Sequence, residues 1–158
     1  MSQQHMLLGQ AGVYRVAAEL LTRGIRVHFP AVDDGIDLFT ADGCALQVKA
    51  SHLGVNRGKY GTGRRYHFAF RYWSWQAGRK RQNYGHLNDR VTHVILWGVD
   101  EDLFWVIPKD RLPSCGSINI SSSVRCYKNS VIESYRQFEN AWHLLQKHER
   151  PVSQPGAV

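Results

Sequence analysis

The sequence predicts an α/β domain with a mixed central sheet flanked by helices. Three observations predict it. A helical period of apolar residues opens the chain between Leu7 and Thr22. Short strand-like runs follow at 25–29, 35–40 and 44–50, and again at 91–99 and 103–107. A second helical stripe closes the chain over about 130–147. With 158 residues, 43% of them hydrophobic, the chain can bury one core of its own. One domain is therefore expected over 1–150, with a basic insertion at about 52–90 and a loose, proline-containing tail over 151–158.

Each element has a local reason. In the first helix Leu7, Ala11, Tyr14, Ala18 and Leu21 recur at spacings of three or four and share a face, and Gly24 ends the helix. Ile25–Phe29 is a short strand stopped by Pro30. Gly35–Thr40 and Cys44–Ala50 form a hairpin through Ala41-Asp42-Gly43, because Asp-Gly tolerates positive φ. With a two-residue period, Ile36 and Leu38 point one way, and Asp37 and Phe39 the other. Leu46, Val48 and Ala50 join the apolar layer, while Gln47 and Lys49 fall on the opposite face. The four glycines between 53 and 63 read as a loop. Arg65–Arg71 is a strand with Tyr66, Phe68 and Phe70 on one side, and 72–90 has no evident assignment. Val91–Val99 is a central strand, paired with Leu103–Ile107 through Asp100-Glu101-Asp102. A short strand is expected near Ile118–Ile120. The closing helix would carry Ile132, Tyr135, Phe138, Trp142 and Leu145 on its apolar face.

Lys and Arg number 20 against 13 acids, a net charge of +7, and the excess is localised. His52–Arg90 holds nine basic residues and one acid, Asp89, while the flanking segments are nearly balanced. Such a segment, interleaved with Gly, Tyr and Trp, fits a polyanion better than a merely solvated surface. Arg57, Lys59, Arg64, Arg65, Arg79, Lys80 and Arg81 are the candidate nucleic-acid contacts. Most of them suit phosphate; Arg64 and Arg65 suit guanine edges if their segment enters the major groove as a ribbon. Trp73 and Trp75 are either stacking platforms or buried anchors. Cys44, Cys115 and Cys126 are odd in number and form no CxxC pair, which argues against a disulfide scaffold or structural zinc and for a reducing cytoplasm. No apolar stretch is long enough for a membrane span, and Met1–His5 lacks the start of a signal peptide. The 54–63 glycines do not follow the order of a phosphate-binding P-loop.

The hairpin at 35–49 carries the chemistry. Asp37 lies across from Gln47, with Lys49 two residues along the same face. A carboxylate, an amide oxygen and the Val48 carbonyl are oxygen donors of the kind magnesium takes. Lys49 can orient or deprotonate a water and stabilise the charge that grows on a phosphate. Glu19, from the first helix, is the fourth candidate. Its competing reading is an ion pair with Arg15 and Arg23, each four residues away. Asp37 also reads as a turn-supporting residue, Lys49 as an exposed strand lysine, and His52 as an ordinary loop histidine.

Glu19, Gly35-Ile36-Asp37-Leu38 and Gln47-Val48-Lys49 together resemble the PD-(D/E)xK nuclease superfamily. The resemblance covers about Leu7–Ser51, with weaker agreement in strand order to Ile107. It implies a restriction-endonuclease-like core and magnesium-dependent cleavage of nucleic acid, with manganese as the alternative ion. It makes Asp37 the central metal carboxylate, Lys49 the catalytic lysine and Glu19 the accessory helix acid. Two departures stand out: no Pro immediately precedes Asp37, and Gln47 replaces the usual acid. A Gln-x-Lys form is similar to the branch that contains junction-resolvase-like and small intron-encoded homing endonucleases. The length and the Gly/Arg-rich insertion resemble the homing enzymes most. The expected function is thus site-specific cleavage of double-stranded DNA by a homodimer or homotetramer, since two strand cuts need two related sites. The alternatives are a Holliday junction resolvase, a restriction-type enzyme, and a DNA-binding protein of this fold without catalysis.

Overall fold

The structure, a computed structural model, describes residues 3–32, 34–58, 61–70, 72–76, 79–83, 87–113, 116–121 and 135–146. Of 56–58, 61–62, 72–76 and 79–83 it describes the backbone only. Helix α1 spans Gln3–Thr22. The strands are β1 (Val27–His28), β2 (Leu38–Thr40), β3 (Ala45–Ser51), β4 (Leu53–Gly58), β5 (Gly61–Ala69), β6 (Tyr72–Gln76), β7 (Arg79–Asn83), β8 (His93–Gly98), β9 (Leu103–Pro108) and β10 (Ser117–Ser121).

A five-stranded sheet runs in the order β1-β2-β3-β8-β9. It is mixed because β3 and β8 pair in parallel, with Leu46 opposite His93 and Lys49 opposite Leu96. Parallel neighbours need a crossover, and here the basic segment between Ser51 and His93 supplies it. The insertion therefore joins two central strands of the core. The β2–β3 turn is as expected: Gly43 has φ +87° and its N–H donates to the Thr40 carbonyl at 3.0 Å. The left-handed backbone there suits a residue without Cβ.

One face of the sheet packs on α1. Val13, Val16, Ala17 and Leu20 meet Leu38, Leu46, Val48 and Ile95 in one buried cluster. Gly12 permits the close approach, since a Cβ there would lie 3.0 Å from that of Ala50. The helix thus buries Gly12, Val13, Val16, Ala17 and Leu20. The expected stripe of Leu7, Ala11, Tyr14, Ala18 and Leu21 faces solvent instead. The helix is apolar on two sides, and its period alone does not select the side that meets the sheet.

The other face is covered by a second sheet, β10-β5-β4. Tyr66 and Phe68 from β5 and Ile118 and Ile120 from β10 pack on Leu96, Trp105 and Ile107. The α/β class and the mixed central sheet hold, with a helix on one flank and a sheet on the other. The 53–63 loop is overturned. It forms β4 and the start of β5, with Gly54 opposite Arg65 and Gly58 opposite Gly61. Glycine weakens a strand, but paired neighbours on a ladder outweigh that local preference. The unassigned 72–90 stretch contains a hairpin, β6 on β7.

The closing helix is present at Tyr135 and Arg136 and is overturned beyond them. The backbone turns at 137–138, Glu139 bridges Trp105, and a 3-10 turn spans Trp142–Leu145. Val106 N–H donates to the Phe138 carbonyl and Asn140 N–H to that of Phe104, both at 2.9 Å. The segment satisfies the outer edge of β9, which a helix would have left bare. Its apolar residues are accordingly split, Phe138 to one core and Trp142 and Leu145 to the other. Ile132 lies outside the described residues.

Candidate active site

The Leu38–Leu46 pair of β2 and β3, continued by one residue, sets Asp37 opposite Gln47. The ladder is irregular at that point, because Asp37 N–H donates to the Leu46 carbonyl at 2.8 Å. The irregularity changes the strand's phase. Ile36 and Leu38, expected on one face, enter different cores. Pairing starts at Leu38, so nothing enforces strict alternation before it. The Asp37 carboxylate instead reaches the β3 edge, where its Oδ2 accepts from Val48 N–H at 2.7 Å. A carboxylate thus takes the place of the backbone acceptor that a longer β2 would supply. The Val48 carbonyl lies on the same edge as its N–H.

Gln47 and Lys49 alternate with Leu46 and Val48 and lie on the sheet face opposite α1, as expected. The Gln47 Oε1 is buried and has no hydrogen-bond partner among the described residues. A buried amide oxygen without a donor is costly, and a cation or its water would satisfy it. Lys49 is half-buried. Desolvation holds its ammonium below the usual lysine range, against a smaller pull upwards from Asp37. An amine shifted this way loses its proton more easily, so more of it is neutral and available to act as a base. Carboxylate, amide oxygen, backbone carbonyl and a desolvated amine therefore belong to one short stretch of sheet. The oxygen donors suit magnesium or manganese, with one formal negative charge between them. Among the described residues no group of three or more His, Cys, Asp or Glu could hold a metal.

Glu19 is held by two arginines. It pairs with Arg15 at 3.0 Å and with Arg23 at 2.8 Å. Arg15 also meets Asp102 at 2.6 Å and stacks over Phe104, and Arg23 stacks over Trp142. Asp102 raises the Arg15 pKa, and Arg15 in turn lowers that of Asp102. Glu19 therefore belongs to a clamp that ties α1 to β9 and the closing turn. Both arginines are within one helical turn of it, the spacing at which such pairs form. It is the sole acid of α1.

Of the candidate nucleic-acid contacts, Arg64 is exposed and Arg65 half-buried on β5. Arg57 belongs to β4, and Arg79, Lys80 and Arg81 to β7, by their backbone. Lys59 lies outside the described residues, as do Cys115 and Cys126; Cys44 is buried and free. His52 faces Asp100 at 3.3 Å rather than the Asp37 group. Asp100 is held low chiefly by the Leu53 N–H.

Two polar groupings have no clear signal in the sequence. On the outer face of the second sheet Arg65 pairs with Ser121 and His67 with Asn119, whose Oδ1 lies 2.9 Å from the His67 Nδ1. The alternation of Arg65 and His67 with Tyr66 and Phe68 already signals that face, but Asn119 joins it only through strand pairing. Arg90, meanwhile, lies over Phe39 and pairs with Asp34, which places a cation beside the loop that leads to Asp37. A polar crevice beside Arg23, Arg26 and Asp42, of about 390 Å³, lies beyond the far end of β3 from Lys49.

The described elements define an α/β fold with a mixed five-stranded sheet, a helix on one face, a smaller sheet on the other, a glutamine and a lysine on β3, and an acid at the start of the neighbouring strand. The fold is similar to the solved structure of a bacterial homing endonuclease, I-Ssp6803I, with a TM-score of 0.69. The match spans 92% of this chain and 93% of that one at 20% sequence identity. At that identity the likeness establishes the fold. No family model matches the sequence, and no curated protein does. Among the described residues no helix is long and apolar enough to cross a membrane.

Proposed function

We propose that this protein is a divalent-metal-dependent endonuclease that cuts double-stranded DNA at a specific site, of the homing type. One observation carries the reading. The Asp37 carboxylate, just before β2, lies against β3, which carries the Gln47 Oε1, without a partner among the described residues, and the desolvated Lys49. A magnesium or manganese ion would be held by Asp37, Gln47 and the Val48 carbonyl, and would supply Lewis-acid stabilisation of a phosphate. Asp37 orients the site through Val48 N–H. Lys49, with its lowered pKa, hydrogen-bonds the attacking water and takes part of its proton, and in its charged form stabilises the phosphate oxygens. The basic crossover grips the DNA backbone, and the Arg65–His67–Asn119 face presents groups able to read base edges. Two copies supply the two cuts.

A second reading has its own observation. The site holds one carboxylate, and the only acid of α1 is committed to Arg15 and Arg23. A DNA-binding protein of this fold without catalysis would look the same.

Incubating the protein with a diverse duplex library and magnesium or manganese, then mapping the ends, separates the readings. Metal-dependent ends at one long sequence support the homing type. Cutting of four-way junctions irrespective of sequence indicates a resolvase, and a short recurrent site indicates a restriction-type enzyme. Binding without ends, with either metal, supports the non-catalytic reading. Asp37→Ala should abolish cutting and retain DNA binding; cutting at the parental rate would overturn the site.

A further inference from the structure

We infer that the outer face of α1 is a contact surface for a second copy of this chain. It supplies a surface for the homo-oligomer proposed above, and its test does not depend on cleavage. Leu7, Ala11, Tyr14, Ala18 and Leu21 form a stripe with a repeat of three and four residues, the spacing with which one helix packs along another. All five are exposed, and Leu7, Tyr14 and Leu21 are each more than half exposed. Phe29, also more than half exposed, extends the stripe beyond the helix, with its ring 5.7 Å from that of Tyr14. The inner face of α1 already meets the sheet through Val13, Val16 and Leu20, and among the described residues this second apolar face joins neither core.

Exposure and charge choose the occupant. Leu7, Tyr14, Leu21 and Phe29, each more than half exposed, lie side by side as one apolar patch of the kind that marks a macromolecular contact. The charged residues of α1 are Arg15 and Glu19, and they are bonded to each other on another side of the helix. The stripe thus offers no cation to DNA. Copies with a net charge of +7 repel one another over most of their surface, and an uncharged face is where they can meet. A self-complementary two-fold contact requires one patch to match itself, which an uncharged apolar stripe does. The contact lies on the opposite side of the main sheet from Gln47 and Lys49, so it leaves the candidate active site uncovered.

The test is sedimentation of the intact chain at micromolar concentration. The parent should sediment at two or more times the chain mass of 18.1 kDa. Tyr14→Lys with Leu21→Lys sets like charges against their copies and should weaken association by about tenfold or more, shifting the mass towards one chain. Ala18→Glu, made separately, should do the same. All three positions are exposed, so the melting temperature of the dissociated variants checks that the fold persists. A parent that stays at 18.1 kDa overturns the inference, as do folded variants that keep the parental mass. A parent that sediments as one chain but floats with neutral phosphatidylcholine vesicles would assign the stripe to lipid and overturn it as well.

Discussion

Replacing Lys49 with methionine should stabilise the fold and stop cleavage. Lys49 sits half-buried on the sheet face covered by β5. Two forces act on its ammonium, and their order decides the sign. Desolvation, which disfavours the charge, exceeds the attraction of Asp37, which favours it. The charged form is therefore worse off in the folded protein than in the unfolded chain. Methionine keeps most of the length and the apolar stem and removes the charge. Exchanging a buried ion for an apolar side chain is often stabilising by 1–4 kcal/mol; about 1 kcal/mol is expected here, because the ammonium keeps some water and Asp37 loses a partner. For a domain of this size that is a rise of about 2–4 °C in Tm.

The pH dependence checks the cause. With a folded pKa below the unfolded value of 10.5, the unfolded chain binds more protons between the two values. Parental stability therefore gains from this group as pH rises through that window, and loses the gain as pH falls through the folded value. The advantage of the Lys49→Met variant should be full at neutral pH and shrink as pH approaches 10.5. Thermal melts of both proteins over that range, beside the metal-dependent cleavage assay, read both halves. A variant less stable than the parent at neutral pH would refute the burial argument, and a variant that still cuts would refute the assignment of Lys49.

The clamp, the core and the DNA grip can be tested separately. Glu19→Gln breaks two ion pairs and should cost about 1 kcal/mol in urea unfolding while leaving cleavage intact; loss of cleavage at unchanged metal-free stability would restore Glu19 as an accessory acid. Gly98→Ala places a Cβ 2.9 Å from the buried Tyr66 ring, which is held between Phe68 and Trp105, and should destabilise by about 1–3 kcal/mol by overpacking. Replacing Arg79, Lys80 and Arg81 with alanine should lower DNA affinity and reduce the salt slope by about one for each phosphate no longer neutralised; an unchanged slope would remove them from the phosphate-binding set.

What was legible in the sequence was local in origin. The hairpin from Leu38 to Lys49, its Asp-Gly turn and the face shared by Gln47 and Lys49 follow from local turn chemistry and the two-residue period of paired strands; before Leu38 that period lapses, and Ile36 and Leu38 part. The apolar strands at 91–99 and 103–107 were equally plain, because a central strand buried on both sides needs unbroken aliphatic runs. The position of Asp37 was legible, but its contact with Val48 N–H was not. That bond exists because β2 stops pairing one residue short, a property of two strands rather than one.

The rest was decided by partners distant in sequence. The glycine-rich segment after His52 is a strand because β5 and then β10 give it a sheet to join. The closing segment leaves the helix after Arg136 and satisfies the edge of β9. Glu19 falls to the clamp because Phe104 and Trp142 give Arg15 and Arg23 somewhere to rest. The sequence by itself determined the chemistry available, the strand period and the site of the basic excess. Only the tertiary structure decided which of the two apolar faces of α1 meets the sheet. The small residues Gly12 and Ala17 let the backbone come close on one side, and the bulkier stripe of Leu7, Tyr14 and Leu21 stays outside.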